Sequence, residues 1–220
     1  MELQKLYAFA GAHYCIQFPP LHMPVISGVR PTNFFNKQGI KSMLPKIIVT
    51  LILAVVMTGC STYSADRYSI SVDNVTALKE VNGTKLDVGE FTASKPGQTE
   101  IMCRGVGPIK TPDGQTFENF IKKALVDELK IAEAYSNSAK ITLTGNLDAI
   151  DFSSSSGTWN LALTVNSSNG NSLTALENYS YTTSFYGETA CNQTAQALMP
   201  AVQNLIGKVV QNNEFRKLIQ

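Results

Sequence analysis

Four cysteines and two histidines are the residues best suited to nucleophilic or metal chemistry, and they are unevenly placed. His13, Cys15 and His22 lie near the start; Cys60, Cys103 and Cys191 follow. From Cys60 onward the chain has no histidine. That excludes, there, a serine or cysteine nucleophile activated by imidazole and any zinc site with a histidine ligand. No metal and no cofactor is expected. Gly105-Val106-Gly107 lacks the third glycine and the strand-to-helix setting of a phosphate-binding loop. Asp148 and Asp151 are the nearest carboxylate pair on a strand. Their odd spacing puts them on opposite faces unless a bulge intervenes, whereas acid/base work on a glycoside needs convergent carboxylates. No catalytic residue is assigned, and the chain is not expected to be an enzyme.

The elements that would position these residues are legible as patterns. Tyr68–Val75 alternates through Ile70 and Val72 and reads as a strand, and Thr84–Ala93 as a second. Thr99–Arg104 is extended, and glycine and proline break the chain at 105–108 and 112–114. Phe117, Phe120, Ile121, Ala124, Leu125, Leu129 and Ala132 recur at three- and four-residue steps, predicting a helix over 115–135 capped by Thr116 or Asp113. Three strands follow: 140–152, then 159–167 with Trp159, Leu161, Leu163 and Val165 inward, then 173–186 with Tyr179, Tyr181 and Phe185 on one face. Ser168-Asn-Gly-Asn171 is a hairpin turn. An apolar stripe from Leu198 to Val210 predicts a second helix that starts or kinks near Pro200. A short last helix would dock Phe215, Leu218 and Ile219. The outward positions Thr142, Thr144, Asn160, Thr164, Asn166, Ser180 and Thr182 are polar and uncharged, either wetted surface or a partner face.

Hydrophobic residues make up 44% of the 220, charged residues 16%, and the formal net charge is +1. A disordered chain and a strongly basic nucleic-acid binder are excluded. The eleven-residue, largely apolar run Ile47–Met57 spans roughly 16 Å as a helix, too short for a bilayer core of about 30 Å. It fits the middle of a secretory signal peptide opening at Met43 with Lys46 ahead of it. Met57-Thr58-Gly59-Cys60 then resembles the lipobox of bacterial lipoproteins, although Met57 stands where leucine is more usual. The resemblance implies cleavage between Gly59 and Cys60 and lipidation of Cys60. A buried segment with an incidental cysteine and a transmembrane anchor are the alternatives. Residues 1–42 have no place in such a signal, and are expected to be a disordered leader, either a start chosen too far upstream or a true extension. The division is then 1–42 leader, 43–59 signal peptide, 60–67 polar tether and 68–220 a single domain. From Cys60 onward, 13 Lys and Arg against 16 Asp and Glu leave a net charge of −3, which gives no reason to expect nucleic acid as a partner. Ser61, where an inner-membrane retention signal would place Asp, implies by resemblance the outer membrane, with the domain facing the periplasm.

In that oxidising compartment, Cys103 and Cys191 are expected to form a disulfide. It would clip the loop before the first long helix to the start of the last. Free buried thiols, or a reactive thiol beside Arg104, are the alternatives. The predicted fold class is α+β: a two-layer sandwich, mainly antiparallel, with two amphipathic helices on one face. The element order and the ending Glu214-Phe-Arg-Lys-Leu-Ile219 resemble small outer-membrane lipoproteins of the YajG-like kind and, more distantly, α/β modules of envelope assembly lipoproteins. The resemblance carries no site residue. The expected function is non-enzymatic, binding or assembly, with the membrane and an envelope protein as partners; the alternative is a binding module for a small or hydrophobic ligand.

Overall fold

Strict alternation through Trp159–Ser167 makes one strand face apolar and the other polar, and this strand is central to the main sheet. The computed structural model describes residues 62–80 and 83–220. Seven strands are described: β1 (Tyr63–Ser64), β2 (Leu86–Ala93), β3 (Glu100–Cys103), β4 (Gly107–Lys110), β5 (Ile141–Ser153), β6 (Thr158–Ser167) and β7 (Ser172–Ser180). The helices are α1 (Val72–Lys79), α2 (Phe117–Ile131), α3 (Gly187–Val210) and α4 (Phe215–Leu218). The main sheet runs β2-β5-β6-β7, and a smaller one runs β1-β4-β3. The fold class is α+β, as the patterns predict.

In the main sheet β5, β6 and β7 form an antiparallel meander, whereas β2 joins β5 in parallel. Leu86, Phe91, Leu143, Leu147, Trp159, Leu161, Leu163 and Val165 are buried on its inner face. Each large apolar side chain so buried contributes about 1.5–3 kcal/mol. Trp159 is wholly enclosed, and its indole N–H donates to the Thr194 carbonyl at 2.9 Å, so the ring's polar edge is satisfied too. Helices α2 and α3 cover this face, and α1 packs across both of them.

The α2 stripe is the predicted one, with Thr116 as its N-cap accepting from the Asn119 N–H. The β6–β7 turn is also as predicted, and it has a second task. Asn169 Nδ2 donates to the carbonyls of Lys217, Leu218 and Gln220, and Asn171 Nδ2 to Lys217. Those donors satisfy the open end of α4, whose Phe215, Leu218 and Ile219 are buried.

Several boundaries differ from expectation. The strand expected at Tyr68–Val75 is replaced by α1, capped by Ser71. Ile70 and Val72, which carry the alternation, are both exposed, while Asn74, Val75 and Leu78 face inward at helical spacing. Residues 60–67 are not all tether: Tyr63–Ser64 is β1, and Ala65 is buried behind it. Gly107 and Pro108, within the stretch 105–108 read as a break, open β4, the middle strand of the small sheet. Strand β7 ends at Ser180 rather than 186. Helix α3 begins at Gly187 and runs through Pro200. Pro200 offers no N–H to the Gln196 carbonyl, a loss that Gln196 bears at an exposed position where water can replace it.

Candidate functional site

The outer face of the main sheet carries a hydrogen-bonded row across all four strands. Thr92 Oγ1 on β2 donates to Asn146 Oδ1 on β5 at 2.8 Å. Asn146 Nδ2 donates to Asp148 Oδ1 at 2.5 Å, and Thr164 Oγ1 on β6 donates to Asp148 Oδ2 at 2.7 Å. Thr164 and Thr174 on β7 join their hydroxyls at 2.9 Å, and Asn178 donates to Asn160 in a second rung. Short threonine and asparagine side chains lose little freedom when so held. They leave a surface of donors and acceptors whose one carboxylate within the row, Asp148, already accepts from Asn146 and Thr164. Thr144, Asn160 and Asn166 are exposed there, and Thr142 and Thr164 half-buried. Ser180 ends β7, and Thr182 lies beyond it. Leu176 stands exposed on the same face.

A β-bulge decides the fate of the two aspartates. The register of β5 against β6 shifts between Leu147 and Ala149, so Asp148 is the extra residue. Leu147 faces inward, and so do Ile150 and Phe152 beyond it. Asp148 and Asp151 therefore share the outer face. They share no partner: both Asp148 oxygens are held within the row, and Asp151 Oδ1 accepts from the Phe152 N–H at 2.8 Å. The arrangement orders a surface and does not converge on a reacting atom.

A second polar cluster lies where α1 crosses α2 and α3. Glu128 is fully buried, and its Oε1 accepts from Tyr68 Oη at 2.6 Å, the Ser71 N–H at 2.9 Å and Asn74 Nδ2 at 3.4 Å. Asn74 also donates to the Gln203 carbonyl at 3.0 Å and accepts from Gln211 Nε2 at 3.2 Å. Burial, reinforced by the bond to Glu128, pushes the Tyr68 phenol well above its ordinary pKa. The groove beside it, of about 530 Å³, is lined by Ser71, Glu177, Lys208 and Gln211 among others. The cluster fixes the position of α1. Nothing in the sequence pattern marks it, because its members lie 54 to 137 residues apart.

An apolar recess of about 160 Å³ opens between Phe117, Leu147, Ala149 and Ile150. Gln98 Oε1 and Glu118 Oε2, at its rim, are buried without a hydrogen-bond partner. Ligand sites usually occupy about 300–1,000 Å³, so the recess suits only a very small guest. Among the described residues no group of three or more His, Cys, Asp or Glu comes together to hold a metal.

Cys103 and Cys191 are bonded, with Cα atoms 5.9 Å apart, and both are wholly buried. Beside them Arg104 (φ 49°) and Gly105 (φ 69°) turn the β3–β4 hairpin with positive φ, the requirement of a type I′ turn. Arginine is unfavourable in that conformation, and its guanidinium offsets the cost. It donates to Ser154 Oγ and O, and to the carbonyls of Ser184 and Phe185. The loop so clasped presents Phe185, 93% exposed, and Tyr186, 76% exposed, edge to face at 6.2 Å. A strand would have hidden one of two adjacent aromatics, and that pairing is the signal for a projecting tip. Trp159, by contrast, is core, and Tyr179 and Tyr181 are half-buried against it. Gly59 and Cys60 lie outside the described residues, as does the segment before them. Among the described residues no helix is long and apolar enough to cross a membrane.

No family model matches the chain. No curated protein matches it either. Among solved structures it is similar to the crystal structure of protein XCC0632 from Xanthomonas campestris, of the DUF330 family, at 8% identity and a TM-score of 0.43, covering 71% of this chain and 99% of that one.

Proposed function

We propose that this protein is a lipid-anchored lipoprotein of the bacterial envelope, held in the outer membrane through Cys60, whose periplasm-facing domain binds or helps assemble another envelope component. The observation that carries the binding role is the four-strand row from Thr92 to Thr174. It is an ordered polar sheet face, uncovered among the described residues, whose one carboxylate within the row, Asp148, is held by Asn146 and Thr164, and it has an exposed leucine at its margin. Fixed side-chain geometry lowers the cost of docking a protein surface. The Cys103–Cys191 bond suits an oxidising compartment. The role needs no catalytic group, in keeping with the lack of histidine from Cys60 onward and the separately held aspartates.

A second reading, a module for a small hydrophobic ligand, draws on the recess and its two unpartnered oxygens, Gln98 Oε1 and Glu118 Oε2. Its small volume makes this the weaker proposal. Palmitate labelling of wild type against Cys60→Ala, with membrane fractionation, tests the anchor. Cys60-dependent label in outer-membrane fractions is expected, and its absence defeats the localisation. A photo-crosslinking side chain at Thr174, compared with one at Lys130 on α2, tests the face. A reproducible envelope adduct from position 174 alone is expected, and none from either position defeats the binding-face reading.

A further inference from the structure

Tyr63 and Ser64 pair in parallel with Ile109 and Lys110. Continued back by one residue, this register places Thr62 beside Pro108, toward the Arg104–Gly105 turn. Val106 in that hairpin packs closely on Gly187, where an added Cβ would lie 2.9 Å from Val106 Cγ2. Gly187 directly follows Phe185 and Tyr186. The start of the described domain and the aromatic tip thus lie toward the same end of that domain. Thr62 is then about 8 Å from Val106, given strands about 4.8 Å apart and a rise of about 3.3 Å per residue, and the tip lies just beyond, across the Gly187 contact.

Only two peptide steps separate Cys60 from Thr62, a reach of at most about 7 Å. A lipid on Cys60 would hold this end of the domain against the bilayer, with no long tether to carry it away. We infer that Phe185 and Tyr186 make a second contact with that same bilayer, their rings entering its head-group region. Aromatic rings favour that depth, and tyrosine can keep its hydroxyl in water. The tip is built for rigid presentation. Arg104 Nη1 donates to the Phe185 carbonyl at 3.0 Å, Tyr186 N–H to Ser184 Oγ at 3.1 Å and Thr183 Oγ1 to the Ser154 carbonyl at 2.5 Å. Met102, one residue before the disulfide cysteine, is also exposed toward this end of the hairpin. The inference rests on lipidation of Cys60.

Phe185→Trp supplies a reporter at an exposed position that leaves the core untouched. The full chain, made in cells given labelled palmitate, is reconstituted in vesicles of phosphatidylethanolamine and phosphatidylglycerol. Part of the lipid is brominated either near the head group or near the chain end. The emission of Trp159, the sole native tryptophan, is measured in the unsubstituted chain and subtracted. The expected result is loss of the added emission to head-group-proximal bromine and protection from aqueous iodide. Palmitate label with emission open to iodide and untouched by bromine overturns the second contact and leaves the anchor standing. Protection from iodide in native envelopes, without bromine quenching in vesicles, assigns the tip to a protein partner and also overturns it. Absence of Cys60-dependent label removes both readings together.

Discussion

Cys103 is bonded to Cys191 across 88 residues, fastening the β3–β4 hairpin to the second turn of α3. In the chain-entropy picture, closing a loop of that length restricts the unfolded chain by about 4–5 kcal/mol. Cys103→Ser with Cys191→Ser is expected to lower the stability of the domain by about that amount, read as a lower midpoint in urea. A midpoint unmoved by reduction would show that the bond carries no such constraint.

Asn74 is 2% exposed and joins three helices through its amide, touching Glu128, Gln203 and Gln211. Asn74→Ala removes the buried amide that bridges Glu128 and the Gln203 carbonyl and is expected to cost about 2–3 kcal/mol. Asn178→Ala, on the exposed sheet face, should stay within about 0.5 kcal/mol. Equal losses in paired denaturation curves would contradict the assignment of Asn74 as the link. Asn74 also begins an N-x-T triplet, and its burial leaves no room for a glycan.

The Phe91 ring lies directly over Gly145, where an added Cβ would come within 2.5 Å of Phe91 Cε2. Phe91 is buried and cannot swing away. Gly145→Ala is expected to destabilise the β2–β5 pair by about 1–3 kcal/mol through overpacking. Combining it with Phe91→Leu should recover part of that loss, a coupling that a double-mutant cycle measures. Strict additivity would refute the contact.

Tyr68 holds its proton more tightly in the fold than in the open chain, because it is buried against Glu128. Its folded pKa is raised above the ordinary value of 10.0, so its contribution to stability is complete below about pH 10. That contribution is lost as the pH climbs toward the raised value. Tyr181 is raised as well, mainly by burial. Alkaline titration followed by tyrosinate absorbance should show one phenol fewer that ionises only with unfolding in Tyr68→Phe than in the unsubstituted chain. An unchanged count in the variant would place Tyr68 among the ordinary phenols.

Local pattern was enough for α2, for the β5–β6–β7 meander and for the α+β class, because each is fixed by residues near in sequence. Thr116, the alternation from Trp159 and Ser168-Asn-Gly-Asn171 are such signals. Helix α1 was not legible: its eight residues carry little periodicity, and its place is set by Asn74 reaching partners far along the chain. The small sheet was hidden by Gly107 and Pro108, poor strand formers held by neighbours on both sides. The parallel docking of β2 leaves no local mark at all. The aspartates on the outer face depended on a bulge that the spacing allowed but did not announce. Of the candidate face, Thr142, Thr144, Asn160, Thr164 and Asn166 were readable as outward and polar; their linkage into a row with Thr92 and Thr174 was not.

The parallel pairing of β2 with β5 also sets an order of events in time. Hairpins β5–β6 and β6–β7 close over turns of a few residues, whereas Leu86 meets Ile141 only after a loop holding the whole of α2 has been drawn in. Closure entropy grows with loop length, and contacts distant in sequence slow folding. The meander is therefore the economical nucleus and β2 the late arrival. For a chain emerging from its amino end, the segment made first waits for the strands made after it. Until then β5 keeps an unpaired edge, and that interval is when this protein is most open to mispairing with its neighbours.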